Sequence, residues 1–177
     1  GTDRVLEAMR QINFDAEFIV NLQGDAPLTP PDFIASMIDA FKQAKDNNQP
    51  CDIVTPAVQL TWEELDKLRE QKTTTPFSGT TVTFDQKTGK AHWFSKNIIP
   101  AVRKEDEMRD SSPLSPVWRH IGLYGYAKSA LEAYASLPKG QFEGLEGLEQ
   151  LRALEGGYHI TCVAVDYKGR ANASGVD

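Results

Sequence analysis

Apolar residues recur along this chain with two different periods. Val5, Leu6, Met9 and Ile12 fall on one face at helical spacing, with Thr2 or Asp3 able to cap that helix. Phe18, Ile19, Val20 and Leu22 then form a short strand that stops at Gly24 and turns at Pro27. Pro30-Pro31-Asp32 opens a second helix whose stripe is Phe33, Met37, Ile38 and Phe41. Residues 51–58 read as a second strand. Thr61-Trp62-Glu63-Glu64 has the form of a capping box at the head of a short helix that ends by Gln71.

Beyond a polar loop at 72–79, residues 80–84 and 91–95 predict a hairpin, with 85–90 as its turn. The stretch 101–116 is charged, then rich in Ser and Pro, and is the longest irregular segment. It is expected to be a mobile cover or a subunit-contact loop. A strand follows over 118–126, then helices over 128–137 and 145–155. Gly156-Gly157 closes the second of these, and a last strand runs over 160–165. Strands alternate with helices over most of the length. That predicts a single α/β domain over 1–177 with a mixed, mainly parallel sheet flanked by helices and a small hairpin insertion.

Composition narrows the class. The 177 residues are 40% hydrophobic and 25% charged, ordinary for a globular domain with a core. A net charge of −6 argues against an extended nucleic-acid footprint, so no nucleic-acid partner is expected. No apolar run spans a bilayer and no signal peptide is visible, so no membrane association is expected and a cytoplasmic setting is. Cys51 and Cys162 sit apart in apolar contexts and read as core thiols rather than a disulfide. The chain opens at Gly1 without Met and closes at Asp177 soon after a strand, which reads as an internal segment of a longer protein.

Four segments place polar groups where a fold alone does not demand them. Gln23-Gly24-Asp25-Ala26-Pro27 presents a carboxylate at a strand end, where open α/β sheets bind ligands; a turn-capping Asp is the plain alternative. Phe94-Ser95-Lys96 ends a strand on a cation, which could equally be a solvated lysine. In Arg119-His120-Ile121-Gly122-Leu123-Tyr124-Gly125-Tyr126, His120, Tyr124 and Tyr126 share a face. They either line a pocket or are core residues. In Leu145-Glu146-Gly147-Leu148-Glu149-Gln150-Leu151-Arg152, Glu149 and Arg152 could form an i,i+3 ion pair. No Cys/His zinc spacing, serine nucleophile elbow or dinucleotide fingerprint is present. Hard-metal binding stays open, with Asp25 and Asp177 as the best carboxylates.

Taken together, these segments resemble the 3-deoxy-manno-octulosonate (KDO) cytidylyltransferase family, the CMP-KDO synthetases. Six landmarks fall in the family's order: Gly1-Thr2-Asp3-Arg4, Gln23-Gly24-Asp25-Ala26-Pro27, Trp93-Phe94-Ser95-Lys96, Arg119-His120-Ile121-Gly122-Leu123-Tyr124, Leu148-Glu149-Gln150-Leu151-Arg152 and Gly175-Val176-Asp177. The resemblance implies a fold like the nucleotide-diphospho-sugar transferases. It implies a reaction of CTP with KDO giving CMP-KDO and pyrophosphate for lipopolysaccharide synthesis, a Mg2+ cofactor and a homodimer. Carried over residue by residue, Asp25 and Asp177 hold Mg2+, and Lys96 joins them in catalysis. Gln23, Lys96, His120, Tyr124 and Glu149 line the sugar-acid pocket, and Gly1, Thr2, Asp3 and Arg4 lie near the nucleotide.

Two positions depart from the family pattern: Ala26 stands where Glu is usual, and Lys96 where Arg is usual. Lys cannot form Arg's bidentate fork to a carboxylate, which leaves an amino-KDO or another acidic sugar open. The family's amino-terminal phosphate loop is not among these residues, so the 177-residue chain by itself is expected to be weak or inactive. An inactive or partner-binding domain of this fold, and a related sugar-nucleotide glycosyltransferase, are the alternatives.

Overall fold

The computed structural model describes residues 2–12, 15–22 and 28–170. Helix α1 (Thr2–Ile12) leads to strand β1 (Phe18–Asn21) and helix α2 (Pro31–Asp46). Strand β2 (Ile53–Thr61) runs straight into helix α3 (Trp62–Thr74), followed by the hairpin β3 (Thr81–Phe84) and β4 (Ala91–Ser95). Then come α4 (Glu105–Ser111), β5 (Leu114–His120), β6 (Tyr124–Ala127), α5 (Lys128–Tyr134), α6 (Gln141–Glu146), α7 (Glu149–Glu155) and β7 (Ile160–Ala164). Among the described residues no helix is long and apolar enough to cross a membrane.

The α/β class holds, but the mainly parallel sheet expected from the strand–helix alternation does not. Only β2 and β7 pair in parallel among the described strands; β1–β6, β2–β5, β2–β6, β3–β4 and β3–β5 are antiparallel. The alternation misled because β5 and β6 both return along β2 without a helix between them. Nor is the hairpin an appendage. β3 pairs with β5, and the hairpin turn reaches across to β7, where Lys90 bridges Thr161 and the Cys162 amide donates to the Gly89 carbonyl at 2.7 Å. The sheet therefore curls back toward its own edge.

β2 is buried on both faces. Ile53 and Ala57 join Val82, Phe94, Tyr126, Leu131, Leu151 and Ile160 in one core. Val54 and Val58 point the other way, onto Phe33 and Met37 of α2. This double burial accounts for a mostly apolar run that shows no alternation, with Thr55 as its buried polar exception. At its end Thr61 caps α3: its hydroxyl accepts from the Glu64 amide at 3.2 Å, while the Glu64 carboxylate accepts from the Thr61 amide at 2.8 Å.

The strand expected over 118–126 is split, and Pro56 explains the split. Ala57 pairs with His120, so residue 56 lies opposite residue 121. Ile121 donates to the Pro56 carbonyl at 3.0 Å, but Pro56 has no N–H to return to Ile121. The chain kinks there. Leu123 donates to the Ile121 carbonyl at 2.7 Å in a tight turn, and the Thr55 hydroxyl donates to the Leu123 carbonyl at 2.8 Å. Pairing with β2 then resumes at Gly125 and Tyr126.

The stretch expected to be a mobile cover or subunit-contact loop contains helix α4, docked on α3. α4 buries no residue, so it left no apolar stripe to read. Charge holds it instead. Arg69 donates to both Glu105 oxygens at 2.8 and 2.7 Å, Arg109 donates to Asp66 at 2.7 Å, and the Arg109 guanidinium lies 4.7 Å from the Trp62 ring centroid. Arg69 and then Arg109 hold the Glu105 carboxyl down to about 2.

Sheet closure at the hairpin turn makes a testable demand on Gly89. Its φ is +75°, and a Cβ there would sit 2.9 Å from the Cys162 carbonyl oxygen. Gly89→Ala is predicted to destabilise the fold by roughly 1–3 kcal/mol, from left-handed strain plus the backbone clash. Gly157→Ala, at φ +80° with open space around it, meets the strain alone and is predicted to cost less, about 1 kcal/mol. Denaturant midpoints of the two variants test this; equal losses would remove the closure from the account.

Candidate functional site

A small pocket opens beside the strand that follows the kink. Asn21 at the end of β1, Ile53, Tyr124 and Tyr126 on the sheet, Tyr134 of α5, Glu149 and Gln150 of α7 and Thr2 of α1 line it. Tyr124, Tyr126 and Tyr134 follow one another along its wall, with ring centroids 6.2 and 6.3 Å apart, and His120 packs behind Tyr124 at 5.4 Å. Phe94 meets the other side of His120 edge-on at 5.0 Å.

His120 is 8% exposed, and its Nε2 lies 2.7 Å from the Thr55 hydroxyl. The Leu123 carbonyl can only accept, so the single Thr55 proton goes there and His120 Nε2 donates to Thr55. The other ring nitrogen, Nδ1, is left as an acceptor. Burial, reinforced by the Lys96 charge, pushes His120 down to about 3. At neutral pH the imidazole is uncharged, and the nearby cation is Lys96.

The phenols are likewise kept protonated. Burial holds Tyr124 well above its usual range, with Tyr126 and Glu149 adding to it, and burial pushes Tyr126 up to about 12. Tyr124 donates to Gln150 Oε1 at 3.0 Å. Tyr134 donates to the Glu149 backbone carbonyl at 2.9 Å. Thr2 donates to the Glu149 carboxylate at 3.3 Å and lies 3.4 Å from the Tyr126 hydroxyl, which ties the start of α1 to the start of α7.

Lys96 follows β4 and is half-buried. Its ammonium makes no ion pair among the described residues. Of the expected nucleotide contacts, Thr2 points into the pocket, whereas Asp3 and Arg4 are exposed on α1. Gly1, Gln23, Asp25 and Asp177 lie outside the described residues, so the expected metal pair does too. Among the described residues no cluster of three His, Cys, Asp or Glu could hold a metal ion.

Two sequence expectations change here. Arg152 does not pair with Glu149 three residues away. Its guanidinium forks onto Glu143 of α6, Nε donating at 2.8 Å, and stacks 5.1 Å from the Tyr134 ring centroid. This frees the Glu149 carboxylate for the pocket rim. The second change is Gln150, absent from the expected site. It is 5% exposed, and its Nε2 is a buried donor with no partner among the described residues. A buried amide beside a Glu in an apolar helix was the available signal: such a group needs a reason.

Residues 1–160 match the family model described as cytidylyltransferase, and the chain belongs to that family. Among its relatives is the 3-deoxy-manno-octulosonate cytidylyltransferase of Maricaulis maris, 42% identical over 171 residues, or 97% of this chain and 62% of that protein. The enzyme of the same name from Chloroherpeton thalassium is 37% identical over 172 residues, with the same coverage of each chain. A solved structure of CMP:2-keto-3-deoxy-manno-octonic acid synthetase complexed with CTP superposes with a TM-score of 0.72. It is 26% identical and covers 93% of this chain and 58% of that one. The chain thus spans about 62% of the length of these curated relatives.

The buried imidazole carries a pH signature. Its folded-state value lies below the ordinary 6.5, so between about 6.5 and 3 the unfolded chain binds a proton that the folded one refuses. Stability is predicted to fall as pH drops through that window, by up to roughly 1.4 kcal/mol per pH unit from this group. His120→Asn should flatten the slope in denaturant titrations from pH 7 to 4.5. In NMR, the imidazole should show no titration step above about pH 4; a step near 6.5 would refute its burial as neutral.

Proposed function

We propose that this protein is a CTP:KDO cytidylyltransferase, a nucleotidyltransferase that activates an acidic sugar for lipopolysaccharide synthesis. The observation that carries the reading is three groups at and behind one pocket: Lys96, which makes no ion pair among the described residues and whose charge reaches His120; His120, neutral and packed on the pocket residue Tyr124; and Gln150 in the pocket lining, whose amide donor has no partner among the described residues. A sugar carboxylate suits the first, and sugar hydroxyls suit the other two. The relatives' names agree with that chemistry.

In the reaction, the anomeric hydroxyl of the sugar attacks the α-phosphorus of CTP. A new P–O bond forms, the bond to the β-phosphate breaks, and pyrophosphate leaves. Such a transfer depends mainly on positioning and charge stabilisation. Lys96 receives the sugar carboxylate as a point charge. His120, uncharged, offers Nδ1 to a hydroxyl proton and cannot serve as an acid at neutral pH. Gln150 Nε2 donates to a sugar oxygen, with its own Oε1 fixed by Tyr124. Glu149 accepts from a hydroxyl at the rim, and Gln23 adds a further sugar contact.

Gly1, Thr2, Asp3 and Arg4 lie toward the nucleotide in this reading. Asp25 and Asp177 are carboxylates, the hard oxygen donors that Mg2+ takes, and are assigned as its ligands. Held there, Mg2+ would supply positive charge to offset that of the phosphates. A homodimer in the cytoplasm completes the reading.

The test is pyrophosphate release by the full-length gene product with CTP and Mg2+, across KDO, its 8-amino analogue and sialic acid. Release is expected with the first or second sugar. None with any of the three would sink the proposal. Gln150→Ala is expected to raise KM for the sugar about tenfold to a hundredfold, the loss of roughly 1–3 kcal/mol of hydrogen bonding. Asp25→Asn is expected to abolish most turnover; unchanged release would end its metal role.

A further inference from the structure

Lys96 bears a candidate substrate-binding ammonium, yet lysine is a long, flexible side chain. Its backbone, by contrast, is held on both sides. The Glu146 carboxylate accepts from the Lys96 amide at 2.6 Å and from the Ser95 hydroxyl at 2.9 and 3.1 Å. Ser95 is 2% exposed, and its oxygen in turn accepts from the Asn97 amide at 2.9 Å. On the opposite side, the Lys72 ammonium donates to the Lys96 carbonyl at 2.6 Å and to the carbonyls of Ser78 and Gly79. Neither clamp uses the Lys96 ammonium.

Glu146 also stands at a junction. It is the last residue of α6, and Gly147 follows in the left-handed region at φ +67°. That turn starts α7 two residues later, so Glu149 and Gln150 are placed by the same bend that anchors Glu146. One carboxylate therefore ties the end of β4, with its cation, to the start of α7, with its hydroxyl-binding groups. Lys72 and Lys96 are close enough to repel, with Glu146 offsetting their charge.

We propose that Glu146 is a positioning residue of the sugar-acid site: its carboxylate, bound to the Lys96 amide and Ser95 hydroxyl, sets where the Lys96 ammonium stands relative to Glu149 and Gln150. This rests on the reading of Lys96 as the carboxylate contact. The consequence is selectivity for charge. An ammonium held in register favours a sugar acid over the same sugar without its charge, and a displaced one does not.

The experiment compares binding of KDO and its C1 carboxamide by calorimetry, for the full-length protein and for Glu146→Ala and Glu146→Gln. The unaltered protein is expected to prefer the acid at least tenfold. Glu146→Ala should bring that ratio close to one, while Glu146→Gln, which keeps an acceptor for the Lys96 amide, should retain part of it. A merely structural role would weaken both ligands alike and leave the ratio standing, which overturns the proposal.

A second readout needs no sugar. In amide NMR, Glu146→Gln should move the Lys96 resonance upfield and speed its hydrogen exchange, with resonances beyond the β4–α6 contact unchanged. An unmoved Lys96 amide overturns the clamp even if Glu146→Ala fails to fold. Absence of KDO binding by the unaltered protein would instead count against the functional reading on which the clamp was built.

Discussion

A single hydroxyl joins the fold to the site. Thr55 is fully buried in the middle of β2, opposite the point where Pro56 leaves Ile121 without a ladder donor. Its oxygen donates to the Leu123 carbonyl, with the Ile121 carbonyl 3.3 Å away, and accepts from His120. The kink is thereby satisfied internally, at a place where an unpaired carbonyl would cost about 1–3 kcal/mol. The same bond fixes the tautomer of the imidazole packed behind Tyr124. Backbone repair and ring orientation are one interaction here, so neither can change alone.

Much of this was legible in the chain. The capping box at Thr61 and Glu64 formed as written, because both partners lie within one turn. His120, Tyr124 and Tyr126 share a face because the kink adds an even number of residues to the strand: Ala57 opposes His120 and Ile53 opposes Tyr126. Other features depend on partners far away in sequence. Side-chain alternation reports which face a residue takes but carries no direction, so the antiparallel return of β5 and β6 was invisible. Arg152 found Glu143 across a helix boundary instead of Glu149 on its own helix, since α6 bends back on α7. Pro56 and Gly122 were the readable marks of the broken strand, but they gained meaning only once paired.

Two modes of holding structure divide the molecule. Around β2, burial on both faces does the work, and polar groups appear only where the ladder fails. Around α4 the order is reversed: no side chain is buried, and the helix is fixed by guanidinium–carboxylate pairs to α3 and by one guanidinium over Trp62. The pocket lies in the first region, where dielectric screening is weakest. With His120 neutral and the phenols protonated, the charges that reach these rings come from their borders, Lys96 toward His120 and Glu149 toward Tyr124.

The contact of the hairpin turn with β7 also bears on how the molecule meets others of its kind. An outer strand displays unpaired amides and carbonyls, an invitation to add a foreign strand. Here the Gly89 carbonyl already takes the Cys162 amide, and Lys90 bridges Thr161. A would-be intruder along β7 would have to dislodge the protein's own turn and confront the Lys90 charge beside it. The curl that shapes the core thus also guards a sheet border against self-association.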